Sequence, residues 1–256
     1  MNKIDQLFRQ KKNILNIYLT AGFPQRDDTV PVVLELEKAG VDMVEIGLPF
    51  SDPLADGPVI QHSSTAAIQN GITLQKIFQQ VREIRKQSEI PILLMGYLNQ
   101  MMAYGEEAFL EEAARSGADG LIIPDLPADF YNRHYRQKAE SLGLKMVFLI
   151  SPQTGEARIR IVDEACSGFL YVVSSASVTG NKAAMQTEQQ AYFRRIRNMQ
   201  LKNPTLIGFG IHDRHTFETA CQYAHGAIIG SAFIRTLEKP GSLQQNIQEF
   251  IKTIRS

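Results

Sequence analysis

Tryptophan is absent from this chain, and only two of its 256 residues, Cys166 and Cys221, are cysteine. Neither cysteine has CxxC spacing or a neighbouring histidine pattern, which argues against a thiolate metal site and a disulfide framework. Two buried, reduced thiols are expected instead. An excess of one charge is also missing. Lys plus Arg number 27 and Asp plus Glu number 27, so the formal net charge is zero. The two signs are interspersed, and nothing favours nucleic acid or an anionic membrane as a partner. No apolar run is long enough to span a bilayer. The segment from Met1 to Lys12 is charged and lacks the apolar stretch of a signal peptide. A cytoplasmic protein is the expectation. His62, His134, His212, His215 and His225 are scattered, and no metal site is expected from them.

What the chain does have is apolar content, 44% of its residues, arranged as a repeat. Short β-rich runs fall at Ile14–Thr20, Met43–Gly47, Ile92–Tyr97, Gly120–Pro124, Lys145–Ile150, Phe169–Ser174, Thr205–Gly208 and Gly226–Ile229. Amphipathic stretches separate them, at Asp28–Ala39, Thr73–Ser88, Gly105–Gly117, Asp129–Leu142, Glu156–Ala165, Thr187–Gln200 and Arg214–Gln222, with a last one at Ser242–Arg255. Several end in glycine (Gly40, Gly117, Gly143), a common helix stop. Strict strand–helix alternation predicts a parallel sheet of the α/β class. Length alone would also admit two smaller domains. Eight repeats in this length predict closure into one (β/α)₈ TIM barrel, a single domain over residues 1–256. Met1–Gln10 reads as a short extra N-terminal helix capping the barrel bottom.

The most informative run is Val44-Glu45-Ile46-Gly47-Leu48-Pro49-Phe50-Ser51-Asp52-Pro53-Leu54-Ala55-Asp56-Gly57-Pro58. Period-two alternation puts Val44, Ile46 and Leu48 on the outer face, under the helices. Glu45 then points into the barrel near the C-terminal end of its strand, where catalytic groups sit on this fold. A structural ion pair is the plainer alternative for it. Unpaired burial raises a carboxyl pKa, which suits proton transfer near neutrality. Asp56 is a second carboxylate on a Pro- and Gly-rich loop, with an Asx-turn as its plainer role. Tyr171 either brings a hydroxyl into the barrel mouth or packs in the core.

Three glycine sites follow late strands: Val178-Thr179-Gly180, Gly208-Phe209-Gly210-Ile211 and Ile229-Gly230-Ser231. Backbone amides in such loops bind phosphate without Lys or Arg. The loops after the seventh and eighth strands are the usual phosphate position in this fold. Ser231 can also serve as a helix N-cap. The small, polar stretch Ser175–Gln189 is expected to be a lid loop over the site.

These residues resemble the α subunit of tryptophan synthase, over essentially the whole chain. The run from Glu45 to Pro58 is close to that family's signature. Tyr18–Pro24, Leu94–Asn99, Pro124–Pro127, Tyr171–Ser174, Val178–Gly180, Gly208–Ile211 and Gly230-Ser231 match in order. The resemblance implies a lyase that cleaves indole-3-glycerol phosphate to indole and glyceraldehyde 3-phosphate by a retro-aldol reaction, in tryptophan biosynthesis. It implies no cofactor in this chain. The expected partner is a β subunit that carries pyridoxal phosphate, in an αββα assembly with an internal indole tunnel. By resemblance, Glu45 is the acid/base and Asp56 the carboxylate that binds the indole N–H. Tyr171 and Thr179 lie by the substrate glycerol and the lid. Gly180, Gly210, Gly230 and Ser231 bind phosphate, and Tyr18, Met95 and Phe209 line the indole pocket. Asp52, Pro53, Asn99 and Pro127 face the β subunit. Ser177 stands where many members carry Gly or Arg, an Arg is common near Ser175, and Tyr18 and Met95 stand where some members carry Phe and Leu. A stand-alone lyase, a catalytically silent regulatory subunit and a phosphate-sugar barrel with another substrate are the competing readings.

Overall fold

The computed structural model describes residues 1–53, 56–174, 182–208 and 210–255, except for the side chains of 182–186. Its strands are β1 (Ile14–Thr20), β2 (Met43–Gly47), β3 (Ile92–Met95), β4 (Gly120–Ile122), β5 (Lys145–Ile150), β6 (Leu170–Val173), β7 (Thr205–Gly208) and β8 (Gly226–Ile229). They pair in parallel in that order, and β8 returns to β1 to close the barrel. The helices in chain order are α1 (Lys3–Gln10), α2 (Thr29–Lys38), α3 (Pro58–Gln69), α4 (Leu74–Arg85), α5 (Leu98–Tyr104), α6 (Glu106–Ser116), α7 (Ala128–His134), α8 (Arg136–Ser141), α9 (Glu156–Ala165), α10 (Lys182–Asn198), α11 (Arg214–Cys221), α12 (Ser231–Leu237) and α13 (Leu243–Arg255).

Side-chain alternation along the strands divides the core in two. Val44, Ile46, Ile92, Leu94 and Leu121 pack outward against the helices. Met43, Leu93, Ile122, Val147, Phe169 and Leu206 fill the barrel itself. The bottom of this inner core is closed by α1. Ile4 of that helix is fully buried in it, a contribution of roughly 1.5–3 kcal/mol. Asn2 holds the plug in place. Its Oδ1 caps α1 by accepting from the Ile4 amide at 2.8 Å, while its Nδ2 donates to the carbonyls of Asp119 and Gly143, just before β4 and β5.

Five strand spans agree with the sequence reading, while β3, β4 and β6 are shorter than expected. Pro124 has no N–H to continue a ladder, and a side chain at Gly96 would collide with Leu48 at 2.8 Å. The helix expected over Asp129–Leu142 is broken at Tyr135, whose φ of −121° lies outside the helical range. Tyr135 instead donates its hydroxyl to Glu106 at 2.7 Å. Three helices escaped the pattern: α3, α5 and α12. In α3 the buried face carries Ser63 and Ser64, so no apolar stripe marks it. The expected lid at Ser175–Gln189 is corrected in its second half, because residues from Lys182 onward belong to α10. Its first half lies outside the described residues. Cys166 is buried as expected, but Cys221 is half-exposed, and both are free thiols.

Candidate active site

The strands deliver their C-terminal ends to one mouth, and a cavity of about 220 Å³ opens there. Tyr18 of β1, Met95 of β3, Tyr171 of β6 and Ile228 of β8 line it. Asp56 and Gly57 reach it from the β2–α3 loop, and Gly210, Gly230 and Ser231 from the loops after β7 and β8. Two glycines make room for the aromatic walls. A Cβ at Gly47 would sit 2.1 Å from the Tyr18 hydroxyl, and one at Gly208 would sit 2.3 Å from the Tyr171 ring. A larger groove, about 370 Å³, runs between α10 and α11. It shares Gly210 with the mouth but contains neither candidate carboxylate.

Glu45 points into the barrel, paired in register with Tyr18 on β1 and Leu93 on β3. It has no solvent exposure. Oε1 accepts a hydrogen bond from Asn16 Nδ2 at 2.6 Å, and Oε2 has no partner among the described residues. Burial pushes the carboxyl pKa up to about 8, with only the Asn16 hydrogen bond opposing it. Among the described residues Glu45 therefore has no ion-pair partner. Glu45 is not among the cavity's lining residues, so the carboxyl lies behind the mouth rather than in it. Its charge is felt at both Tyr18 and Tyr171, whose phenols burial pushes well above their usual value.

Asp56 is partly buried at the mouth, which raises its pKa, and the Tyr97 hydroxyl opposes that by donating to Oδ2 at 3.0 Å. An Asx-turn needs a backbone N–H two residues on, and residue 58 is proline. The Asp56 carboxylate is thus not engaged in that turn. Tyr171 is both core and cavity wall: it is 6% exposed, packed in the inner cluster, and lines the mouth. Gly230, not Ser231, occupies the N-cap position of α12, and Ser231 is the helix's first residue.

The structure brings Glu45, Asp56, Tyr18, Met95, Tyr171, Gly210, Gly230 and Ser231 to one end of the barrel. Thr179, Gly180 and Phe209 lie outside the described residues, as do Ser175 and Ser177. Asp52 and Pro127 are exposed on the loops after β2 and β4, and Asn99 is exposed in the first turn of α5 after β3, while Pro53 is buried. Hydrogen bonds tie these loops together: Gln100 Nε2 donates to the Pro49 carbonyl at 2.9 Å, and the Leu98 amide to Asp125 Oδ1 at 2.9 Å. The sequence reading gave no role to Asn16, Tyr97, Ile60 or Ile211. Asn16 was accessible to it, because Asn16 shares the inward face of β1 with Ile14 and Tyr18. Among the described residues no group of His, Cys, Asp and Glu could hold a metal ion, and no helix is long and apolar enough to cross a membrane.

A closed eight-stranded parallel barrel, with a cavity at its C-terminal mouth, one perturbed carboxyl lining it and another buried behind it, defines the class as a (β/α)₈-barrel enzyme. The chain matches the model of the tryptophan synthase alpha chain over residues 4–255. It is 54% identical to the tryptophan synthase alpha chain of Flavobacterium johnsoniae, over 100% of both chains. The crystal structure of tryptophan synthase subunit alpha from Legionella pneumophila superposes with a TM-score of 0.89 at 32% identity, covering 100% of this chain and 97% of that one. A chain of the Pyrococcus furiosus tryptophan synthase complex gives 0.86 at 33% identity, covering 95% and 98%. The chain belongs to the tryptophan synthase alpha chain family.

Proposed function

We propose that this chain, working as one barrel domain over residues 1–256, cleaves indole-3-glycerol phosphate to indole and glyceraldehyde 3-phosphate. Breaking the bond between indole C3 and the side chain first requires C3 to become tetrahedral. Glu45 in its neutral form gives its proton to C3, which leaves positive charge on the ring nitrogen. The Asp56 carboxylate beside that nitrogen stabilises the charge electrostatically. The Glu45 carboxylate then takes the proton of the glycerol hydroxyl. The C3–carbon bond breaks, its electron pair returns to the ring, and the aldehyde forms. Glu45 ends the cycle protonated, so no cofactor is consumed and none of the chain's own is required.

The observation that carries this reading is the burial of Glu45 with a single neutral partner, which holds its proton affinity near neutrality. Glu45 Oε2 reaches a bound substrate when the Tyr18 and Tyr171 rings part. Tyr18 and Met95, with Phe209, supply the apolar walls for the indole ring. Gly210, Gly230 and Ser231, with Gly180, offer backbone amides to the phosphate. Tyr171 and Thr179 flank the glycerol. A β subunit carrying pyridoxal phosphate is the partner, in an αββα assembly, and Asp52, Asn99 and Pro127 form the rim that meets it, with Pro53 supporting that rim from beneath. The working compartment is the cytoplasm.

The test is indole release from indole-3-glycerol phosphate by the purified chain, alone and with a tryptophan synthase β subunit. Slow release that the β subunit accelerates is expected. Fast release alone would make it a stand-alone lyase. No release in either case would make it a silent subunit or an enzyme for another phosphorylated substrate.

A further inference from the structure

The inner cluster of the barrel is apolar, and Asn16 and Glu45 stand beside each other on its wall. Neither residue has any solvent exposure. A buried amide costs free energy unless its polar atoms are bonded. Asn16 bonds at one end only: Nδ2 donates to Glu45 Oε1, and Oδ1 has no partner among the described residues. An asparagine kept for packing would be bonded at both ends or replaced by an apolar residue. This one is bonded only where it meets the carboxyl.

The other titratable groups around Glu45 are Tyr18 on β1, Tyr171 on β6 and Asp56 on the β2–α3 loop, with Tyr97 beside Asp56. Burial keeps both Tyr18 and Tyr171 neutral, and none of the groups acting on Glu45 is a cation. Among the described residues, Asn16 is therefore the one group that favours the ionised form.

We propose that Asn16 is the positioning residue of the proton-transfer step: its N–H holds Glu45 by Oε1, favours the carboxylate, and leaves Oε2 as the oxygen that exchanges the proton with substrate. The inference rests on the acid–base reading of Glu45 given above. Without Asn16, burial acts unopposed and the carboxyl holds its proton more tightly.

Asn16→Leu keeps the size and removes the donor. Neutral Glu45 starts the cycle, so kcat falls with rising pH as Glu45 ionises in the complex. A hydrogen bond to a charged group is strong enough that its loss moves this falling limb up by about one pH unit or more. KM should change little, because Asn16 does not line the cavity. The readout is kcat and KM for indole release from about pH 6 to about pH 10, with circular dichroism to verify folding. Asn16→Met, unbranched and equally unable to donate, carries the same test if Asn16→Leu does not fold. A limb that stays where the wild type has it, or a uniform loss of kcat at every pH, overturns the inference. If Glu45→Gln keeps its rate, the site reading itself fails. If Glu45→Gln is inactive and the limb is unmoved in Asn16→Leu, the Asn16 inference alone fails.

Discussion

At the N-terminal end of the barrel the Asp42 side chain is fully buried, yet it meets Lys11, Arg255 and the Leu15 amide. At the opposite end Glu45, also fully buried, meets one neutral amide. Asp119 repeats the bottom pattern, with Arg85 at 2.5 Å, the Ile92 amide at 2.9 Å and Lys3 at 3.7 Å. Asp56 repeats the top pattern, with the Tyr97 hydroxyl. The bottom carboxylates tie elements together: Asp42, just before β2, joins the α1–β1 connection, β1 itself and the last turn of α13. Cations there oppose the upward push of burial on the carboxyls, as Arg85 and Lys3 do at Asp119. Toward the mouth no cation faces Glu45 among the described residues, and burial with one neutral amide raises its proton affinity.

The comparison breaks most visibly at Glu45. Glu45→Gln should lower turnover about 10²–10⁴-fold, the usual share of general acid–base catalysis, while the chain remains folded. Asp56→Asn keeps the shape and removes the charge, and should lower kcat about 10²–10³-fold. Near-wild-type rates would remove Asp56 from the reaction. At the bottom the effect should change kind. Asp42→Ala should cost about 2–3 kcal/mol of stability, read from denaturant unfolding, with kcat per folded molecule unchanged. A loss of kcat there would erase the distinction between the ends. The smallest expected effect is in Tyr97→Phe, which removes one hydrogen bond to Asp56. It should lower kcat up to about tenfold and leave stability nearly intact.

Much of this was legible in the chain. Period-two alternation in β2 sets Glu45 inward because the apolar partners Val44 and Ile46 must face the helices. The eight strands stood out because each is a short apolar run bounded by turn residues. What stayed hidden depended on tertiary context. The stripe of α3 is masked by buried serines, one of which, Ser63, shares a hydrogen bond of 2.6 Å with Thr20 on β1. At the Tyr135 break the tyrosine hydroxyl meets a glutamate 29 positions away. The partner of Glu45 also lies 29 residues off, on the neighbouring strand, so spacing along the chain could not pair the two. Pro53 was read as a partner-facing position, and its burial came from loop packing that composition does not reveal.

The central claim is that Glu45 keeps its proton near neutrality because it is buried with one neutral partner. Between its ordinary value of 4.5 and about 8 the native chain holds a proton that the unfolded chain has released. The Glu45 contribution to stability therefore falls with rising pH across that window and is level above it. The direct measurement is an infrared titration of the carboxyl stretch, wild type minus Glu45→Gln, in the unliganded chain. The account predicts one protonated carboxyl that persists at neutral pH and is lost with a midpoint near 8. A midpoint in the ordinary carboxylate range, near 4.5, would contradict it.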